Sequence, residues 1–244
     1  MRIKKNIENI NYDETQFFFQ NRAKKYNSSY PYSVTMYQDS HPELTEKRNI
    51  QEVKKLRDLL RLDSSSRILD LACGIGRWAE QIDSNIDYYY GVDFASNLIE
   101  IAKKRITSEK KKHFLTGAIT NIQKVIPNKT FNRVLIIGAL EYLNDNDIIQ
   151  MFTQIEHLCE SKCIICIREP IALEERLTLK DFFSEELASN YNAIYRTRPE
   201  LINLLTPSLL ENGFSISLEG FLFENETQLN NRKETSQYFF ILQR

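Results

Sequence analysis

From Leu44 to Leu62 the apolar residues Ile50, Val53, Leu56, Leu59, Leu60 and Leu62 fall at near-helical spacing with charges between them, which predicts an amphipathic helix. Ahead of it, Tyr12 to Tyr37 holds Phe17, Phe18, Phe19, Tyr26, Tyr30, Tyr32 and Tyr37 without a clean period, a pattern that suits a cap or lid. From Arg67 the pattern changes. Short apolar runs, read as strands at Arg67–Leu71, Tyr88–Asp93, His113–Thr116, Arg133–Ile137 and Cys163–Arg168, alternate with amphipathic segments near Gly76–Ile82, Ser96–Ile106, Ile119–Ile126 and Asp145–Cys159. That alternation predicts βαβ units and a parallel sheet. After Pro170 a charged, aromatic insertion runs to Pro199, followed by a helix from about Glu200 to Glu211, with Gly213 just past its end where a left-handed residue is needed. The runs Phe214–Phe223 and Ser236–Gln243 read as an antiparallel hairpin.

Length and charge narrow the classes. The chain has 244 residues, 42% of them apolar, with 32 Lys+Arg against 33 Asp+Glu. That is enough chain to bury a core, and it excludes a disulfide-stapled miniprotein. The balanced charge argues against nucleic acid as an obligatory partner, because a phosphate binder usually carries a basic excess. Apolar stretches such as Val134 to Leu140 fall far short of the ~18 residues a membrane span needs, and Met1 to Gln20 has no apolar signal-like core. The expectation is a cytoplasmic chain with no membrane partner. Cys73, Cys159, Cys163 and Cys166 are then expected as free thiols. Cys163 and Cys166 lie on opposite faces of one strand and His157 is the only further ligand nearby, so no metal site is expected.

Only 7 residues are Gly, yet Gly74 and Gly76 stand two apart between a predicted strand and a predicted helix. Glycine there allows a tight turn and lets backbone N–H groups approach a ligand. Gly74-Ile-Gly-Arg-Trp-Ala79 satisfies the dinucleotide fingerprint G-x-G-x-x-G/A, so two cofactors compete: a nicotinamide or flavin dinucleotide, and S-adenosylmethionine. Asp70 separates them. At the end of the strand before the loop, its carboxylate would repel a pyrophosphate but attract a ligand with an ammonium and a sulfonium. Asp93, at the end of the next strand, suits the ribose hydroxyls of either cofactor.

The stretch Ile68-Leu-Asp70-Leu-Ala72-Cys-Gly74-Ile-Gly76-Arg-Trp78-Ala, with Gly91-Val-Asp93-Phe-Ala, resembles the class I S-adenosylmethionine-dependent methyltransferases. The likeness extends through Phe131-Asn-Arg-Val-Leu-Ile-Ile-Gly138-Ala-Leu-Glu141-Tyr-Leu143 and covers roughly residues 44 to 170. It implies an α/β fold: a Rossmann-like, mostly parallel seven-stranded sheet ending in the antiparallel hairpin. Residues 1–62 would form an N-terminal helical cap, 63–244 the core and 171–198 a substrate-side insertion, as a single domain. The resemblance implies that Asp70, Ala72, Gly74 and Gly76 surround the cofactor's methionine part. Asp93 would hold the ribose, Phe94 would lie against the adenine, Ala118 and Ile119 at its other face, and Gly138 with Leu143 near the methionine end. Ala72 stands where the family often has its first glycine, which is tolerable if φ there is negative. Ala118 replaces a frequent Asp, which leaves the adenine amino group to backbone or to Asn121.

Methyl transfer rests largely on proximity and orientation, with a general base needed only where the nucleophile must lose a proton. No catalytic residue is therefore singled out. His41 is open as base or loop residue, Glu141 and Glu169 are the carboxylates best placed to face the cleft, and Trp78 reads as packing. The expected acceptor pocket lies at the strand ends, bordered by Tyr30 and Tyr37 of the cap, Arg168 and Glu169 after the fifth strand, and Tyr195, Arg196 and Arg198 of the insertion. Arginines and tyrosines suit an anionic, oxygen-rich small molecule, phosphorylated or sugar-like. Arg168-Glu-Pro170 and Tyr195-Arg-Thr-Arg198 also resemble bacterial methyltransferases that modify surface polysaccharides, including capsular phosphoramidate decoration. That likeness implies O-methylation of a capsule precursor. The alternatives are N-methylation of a small amine and a non-catalytic S-adenosylmethionine-binding protein. Oligomeric state is left open.

Overall fold

A computed structural model describes residues 1–107, 110–126 and 128–244. Its centre is a seven-stranded sheet built from β2 (Arg67–Leu71), β3 (Tyr88–Asp93), β4 (Lys112–Thr116), β5 (Phe131–Ile137), β6 (Cys159–Ala172), β9 (Ser215–Phe221) and β10 (Thr235–Gln243), in the order β4-β3-β2-β5-β6-β10-β9. The first five are parallel, and β10 pairs antiparallel with both β6 and β9. The chain leaves β2 for β3 in one direction and later enters β5 on the other side, so the strand order reverses between β2 and β5. In open sheets of this kind ligands bind beyond the carboxyl ends of the strands at that reversal.

Period-two alternation explains why both faces are apolar. Leu69 and Leu71, Val134 and Ile136, and Cys163, Ile165 and Ile167 point to one core, where Ile148, Met151, Phe152 and Ile155 of helix α7 (Asp145–Leu158) cover them. Ile68, Leu135, Ile164 and Cys166 point to the other, under Leu56 of helix α3 (Glu43–Leu56) and Trp78 and Ala79 of the one-turn helix α4 (Arg77–Glu80). The thiols of Cys163 and Cys166 thus face opposite cores, and all four cysteines are free.

Three predicted helices are shorter than their apolar pattern. The one after Gly76 ends at Glu80, and the one near Ile119 is a 3-10 turn running into α6 (Ile122–Val125). Helix α8 (Arg198–Leu205) is opened by a capping box between Thr197 and Glu200 and stops short of Pro207, which has no N–H to continue it. Gly213 takes φ +90° just before β9, as its position predicts. Helix α5 (Ser96–Arg105) agrees with its pattern to one residue.

The insertion is a second sheet that the sequence pattern did not reveal. Strands β7 (Leu177–Ser184) and β8 (Ser189–Tyr195) form an antiparallel hairpin, and β1 (Arg2–Lys4) adds to its edge. Helix α1 (Tyr12–Arg22) packs its Phe18 and Phe19 against Leu177, Leu179, Tyr191 and Tyr195 of this sheet, together with Val34 of the short helix α2 (Ser33–Met36). Cap and insertion therefore share one hydrophobic cluster above the strand ends. No helix among the described residues is long and apolar enough to cross a membrane.

Candidate functional site

A cavity of about 420 Å³ opens at the carboxyl ends of β2, β3 and β5, beneath α1. Its floor begins with the loop after β2. Ala72, Gly74 and Gly76 all take positive φ there, at +59°, +55° and +77°. The negative φ expected at Ala72 is thus corrected. The alanine sits in the left-handed conformation that ordinarily selects glycine, at a cost on the order of 1–2 kcal/mol, held by the hydrogen bonds around it. Cys73 N–H donates to the Val92 carbonyl at 3.1 Å, and Gly74 N–H donates to Asp93 Oδ2 at 2.9 Å. A Cβ on Gly74 would come 3.0 Å from Cγ2 of Thr35, so the loop and α2 approach closely only without a side chain.

Two buried carboxyls border that loop. Asp70 accepts from the Tyr89 hydroxyl at 2.5 Å, and Asp93 accepts the backbone N–H groups of Gly74 and Ala95, each at 2.9 Å. Burial pushes Asp70 up to about 7 and Asp93 up to about 6, with Tyr89 and the two backbone donors acting against it. Buried acids held so far from their ordinary range await a positive charge or hydroxyl donors. Phe94, Thr116, Gly117, Ala118 and Ile119 continue the wall on the β3–β4 side, and Gly138, Tyr142 and Leu143 on the β5 side. Asn121 is exposed and stands outside the cavity wall, whereas Thr116 to Thr120 line it.

The roof is aromatic. Phe19 meets Phe94 and Tyr142 edge-on at 5.6 and 5.0 Å, and Tyr37 stands beside it at 6.3 Å. Gln16 Nε2 donates to the Phe94 carbonyl at 3.0 Å, and the Tyr12 hydroxyl donates to Asp147 while accepting from Asn144 N–H, so α1 is tied down on both sides of the opening.

Of the residues expected at the acceptor, Tyr37 and Arg168 line the cavity. Glu169 is turned away. Its carboxylate accepts from the backbone N–H groups of Ala139, Leu140 and Glu141 and so shapes the loop after β5. Arg196 is 1% exposed and donates to Asp145 and to the carbonyls of Leu140 and Leu143, whereas Arg198 pairs with Glu219. Tyr195 is buried in the cap cluster, and Tyr30 is exposed. The structure brings none of these five to the cavity wall, nor Gly76 or His41, whose imidazole is exposed beside Glu43. Charged insertion residues read as substrate ligands because sequence alone does not show that their partners lie within the same chain.

Sequence reasoning passed over a buried network at the far wall. Glu52 of α3 accepts from Arg77 at 2.6 Å and from the Trp78 indole at 2.9 Å, and pairs with Arg168 at 2.8 Å. Arg48, one helical turn before Glu52, lines the cavity with them. The sequence signal was weak, because α3 buries a largely polar face of Thr45, Arg48, Asn49, Glu52 and Leu56 and leaves Ile50 of the apolar pattern exposed. Glu141 lines the same space, and burial together with Glu169 raises its carboxyl well above the usual range. Glycine-loop turn, paired acids and aromatic roof fit a ligand with a ribose, a flat base and a cationic end.

Residues 68–162 match a family model described as a methyltransferase domain. The chain is similar to the demethylmenaquinone methyltransferase of Lactococcus lactis subsp. lactis, 37% identical over 70 residues, which is 27% of this chain and 26% of that protein. It is also similar to the phosphoethanolamine N-methyltransferase of Plasmodium falciparum, 23% identical over 217 residues covering 88% of this chain and 77% of that protein. Among solved structures, phosphoethanolamine N-methyltransferase 1 of Haemonchus contortus, in complex with phosphoethanolamine and S-adenosylhomocysteine, superposes with a TM-score of 0.70 at 14% identity, over 96% of this chain and 50% of that one. The chain thus spans about a quarter of the first relative and half of the Haemonchus protein. The sheet, with its antiparallel hairpin, is the Rossmann-like methyltransferase fold. Residues 68–162 thus match a methyltransferase-domain model, and the whole sheet has the fold of a solved methyltransferase that holds S-adenosylhomocysteine.

Proposed function

We propose that the protein transfers a methyl group from S-adenosylmethionine to a small anionic acceptor bound under the aromatic roof. The observation that carries this reading is the single cavity in which Asp70, Gly74 and Asp93 line one side and Arg48, Arg168 and Glu141 the other. When bound, S-adenosylmethionine supplies a methyl carbon made electrophilic by its sulfonium. Asp93 offers its remaining lone pairs to ribose hydroxyls, Asp70 offers negative charge to the ammonium end, and Phe94, Ala118 and Ile119 flank the adenine. Gly138 and Leu143 border the methionine end. Phe19, Tyr37 and Tyr142 exclude water, and alignment of acceptor and methyl under them supports transfer without a dedicated base. Glu141, kept neutral by burial and by Glu169, borders the same space as a hydrogen-bonding carboxyl.

O-methylation of a sugar-like or phosphorylated capsule precursor, in the cytoplasm, is the finer form of this reading and rests on the sequence resemblance. The two phosphoethanolamine N-methyltransferase relatives favour a second form, N-methylation of a phosphate-bearing amine, and a roof of three aromatic rings suits a developing cation. Both forms share an anionic acceptor. The test is a methyl-transfer assay of the purified chain against phosphorylated sugars, nucleotide-linked sugars and phosphorylated amines, read by release of S-adenosylhomocysteine. Turnover with one anionic class is expected. Turnover only with uncharged acceptors would overturn the reading, and stabilisation by NAD without stabilisation by S-adenosylhomocysteine would replace the cofactor.

A further inference from the structure

The wall facing Asp70 and Asp93 carries more positive charge than its protein partners neutralise. Arg77 and Arg168 share one carboxylate, Glu52, through its two oxygens. Arg48 is 4% exposed and, among the described residues, makes no ion pair. Its Nε donates to the Leu229 carbonyl at 2.6 Å, while its Nη1 is buried without a hydrogen-bond partner. Glu52 is the one carboxylate paired with these guanidiniums in a wall screened from water, with Asp70 acting on Arg77 by charge alone. Burial, and after it the charge of Arg168, pushes Arg48 down to about 10, with Glu186 alone acting the other way. The Glu141 carboxyl offers no compensation, since burial and Glu169 favour its neutral form. A buried guanidinium with an unspent donor is unfavourable unless a ligand completes it.

Placement identifies which ligand. Arg168 lies at the end of β6 and donates to Gln237 of β10 at 3.0 Å, and Arg48 reaches across from α3, so the pair stands on the far side of β5 from the glycine loop. Gly138 at the end of β5 takes φ +68°, and a Cβ there would come 3.0 Å from Arg168 Nη1, so the guanidinium lies against the bare backbone of the loop that borders the methyl end. We infer that Arg48 and Arg168 form a subsite for a phosphate-type oxyanion of the acceptor, with the Gln237 amide beside it, and that this subsite orients the acceptor's nucleophilic atom toward the methyl group. The inference rests on reading this cavity as the methyl-transfer site. Forked donors on two guanidiniums match a phosphate's oxygens, and a phosphate monoester, which carries roughly −1.5 to −2 at neutral pH, is drawn to two cations more strongly than a lone carboxylate is.

The test uses the full chain and inorganic phosphate as probe. Phosphate is titrated into the S-adenosylhomocysteine complex at constant ionic strength and followed by calorimetry and thermal unfolding, with sodium chloride as control. Saturable binding is expected, together with competitive inhibition against an anionic acceptor. Arg48→Gln should weaken phosphate at least tenfold and raise the acceptor's KM by a similar factor with little change in kcat. Arg48→Lys, which keeps the charge, should recover part of the loss, and unchanged affinity for S-adenosylhomocysteine in both variants shows that the fold is intact. Binding of S-adenosylhomocysteine without any phosphate effect beyond chloride overturns the inference and leaves the methyl-transfer reading in place. If Arg48→Gln weakens S-adenosylhomocysteine but not methylthioadenosine, which lacks the amino-acid part, the arginines serve the cofactor's carboxylate and the assignment to the acceptor falls. Phosphate binding that depends on Arg48 in a protein that fails to bind S-adenosylhomocysteine overturns the cofactor reading and, with it, the acceptor role.

Discussion

Gly74 donates its backbone N–H to Oδ2 of Asp93 across 2.9 Å, so the carboxylate at the end of β3 holds the loop that follows β2. Its other oxygen accepts from Ala95 N–H at the same distance. A carboxylate offers about four acceptor sites, and two of them remain for ribose hydroxyls. On the proposed reading, the one side chain that shapes the loop also binds the ribose. Asp93→Ala removes both and should weaken S-adenosylhomocysteine by about a hundredfold or more, the equivalent of two or three charge-assisted hydrogen bonds. Calorimetric titration measures it, and affinity equal to wild type would leave Asp93 a purely structural role.

The paired acids make cofactor binding depend on pH in a definite direction. Asp70 is pushed up to about 7 and Asp93 to about 6 from 3.8, both by burial, so the folded protein holds protons that the unfolded chain has lost. Their contribution to stability is complete below the unfolded value and is lost as pH rises through 6 and 7. The unliganded protein should therefore melt at progressively lower temperature from pH 5 to 8, and Asp70→Asn should flatten that slope. S-adenosylhomocysteine, with its ammonium group, favours the ionised carboxyls, so its affinity should rise over the same range by up to about tenfold per pH unit for each proton released. A melting temperature that climbs from pH 5 to 8 would contradict the assignment.

What was legible in the sequence is what depends on local pattern. The five parallel strands follow from alternating apolar runs, and the glycine loop with Asp70 and Asp93 from spacing alone, because each lies at a strand end that the pattern already marks. The second sheet was not legible: β1 pairs with β7 across more than half the chain, and Arg2↔Leu179 leaves no local signature. The acceptor wall suffers the same way. Arg196 and Arg198 stand in an insertion and read as ligands, but Asp145 and Glu219 meet them from distant segments, whereas Arg48 and Glu52 lie on a polar face of α3 that the fold buries while Ile50 stays exposed. Whether a charge is spent or free is a property of the folded neighbourhood.

Ala72 gives a test of stored backbone strain. At φ +59° it occupies a conformation that an alanine Cβ disfavours by on the order of 1–2 kcal/mol, while glycine bears no such penalty but costs roughly 0.5–1 kcal/mol more unfolded-chain entropy. Ala72→Gly should thus leave stability unchanged or raise it by up to about 1.5 kcal/mol, against the usual sign of an alanine-to-glycine change. Chemical denaturation of the unliganded protein reads the difference. A loss above about 1 kcal/mol would mean that the Ala72 methyl makes packing contacts that outweigh the strain.

Arg196 and Arg198 separate structural from acceptor-binding arginines. Arg196 is buried, with every guanidinium nitrogen engaged by Asp145, Leu140 or Leu143, so Arg196→Ala leaves two carbonyls without their donor, while Asp145 keeps Arg176. Leaving two buried carbonyls unpaired costs about 2–6 kcal/mol, which for a chain of this size lowers the melting temperature by roughly 4–24 °C. Arg198 is half-exposed beside Glu219, and its loss should cost no more than about 1 kcal/mol. In the protein that remains folded, neither change should move the acceptor's KM more than about twofold, in contrast to Arg48→Gln. A tenfold rise in KM for Arg198→Ala at unchanged stability would place that residue at the acceptor after all, and would mean that the insertion closes further over the cavity than the Arg198–Glu219 pair allows here.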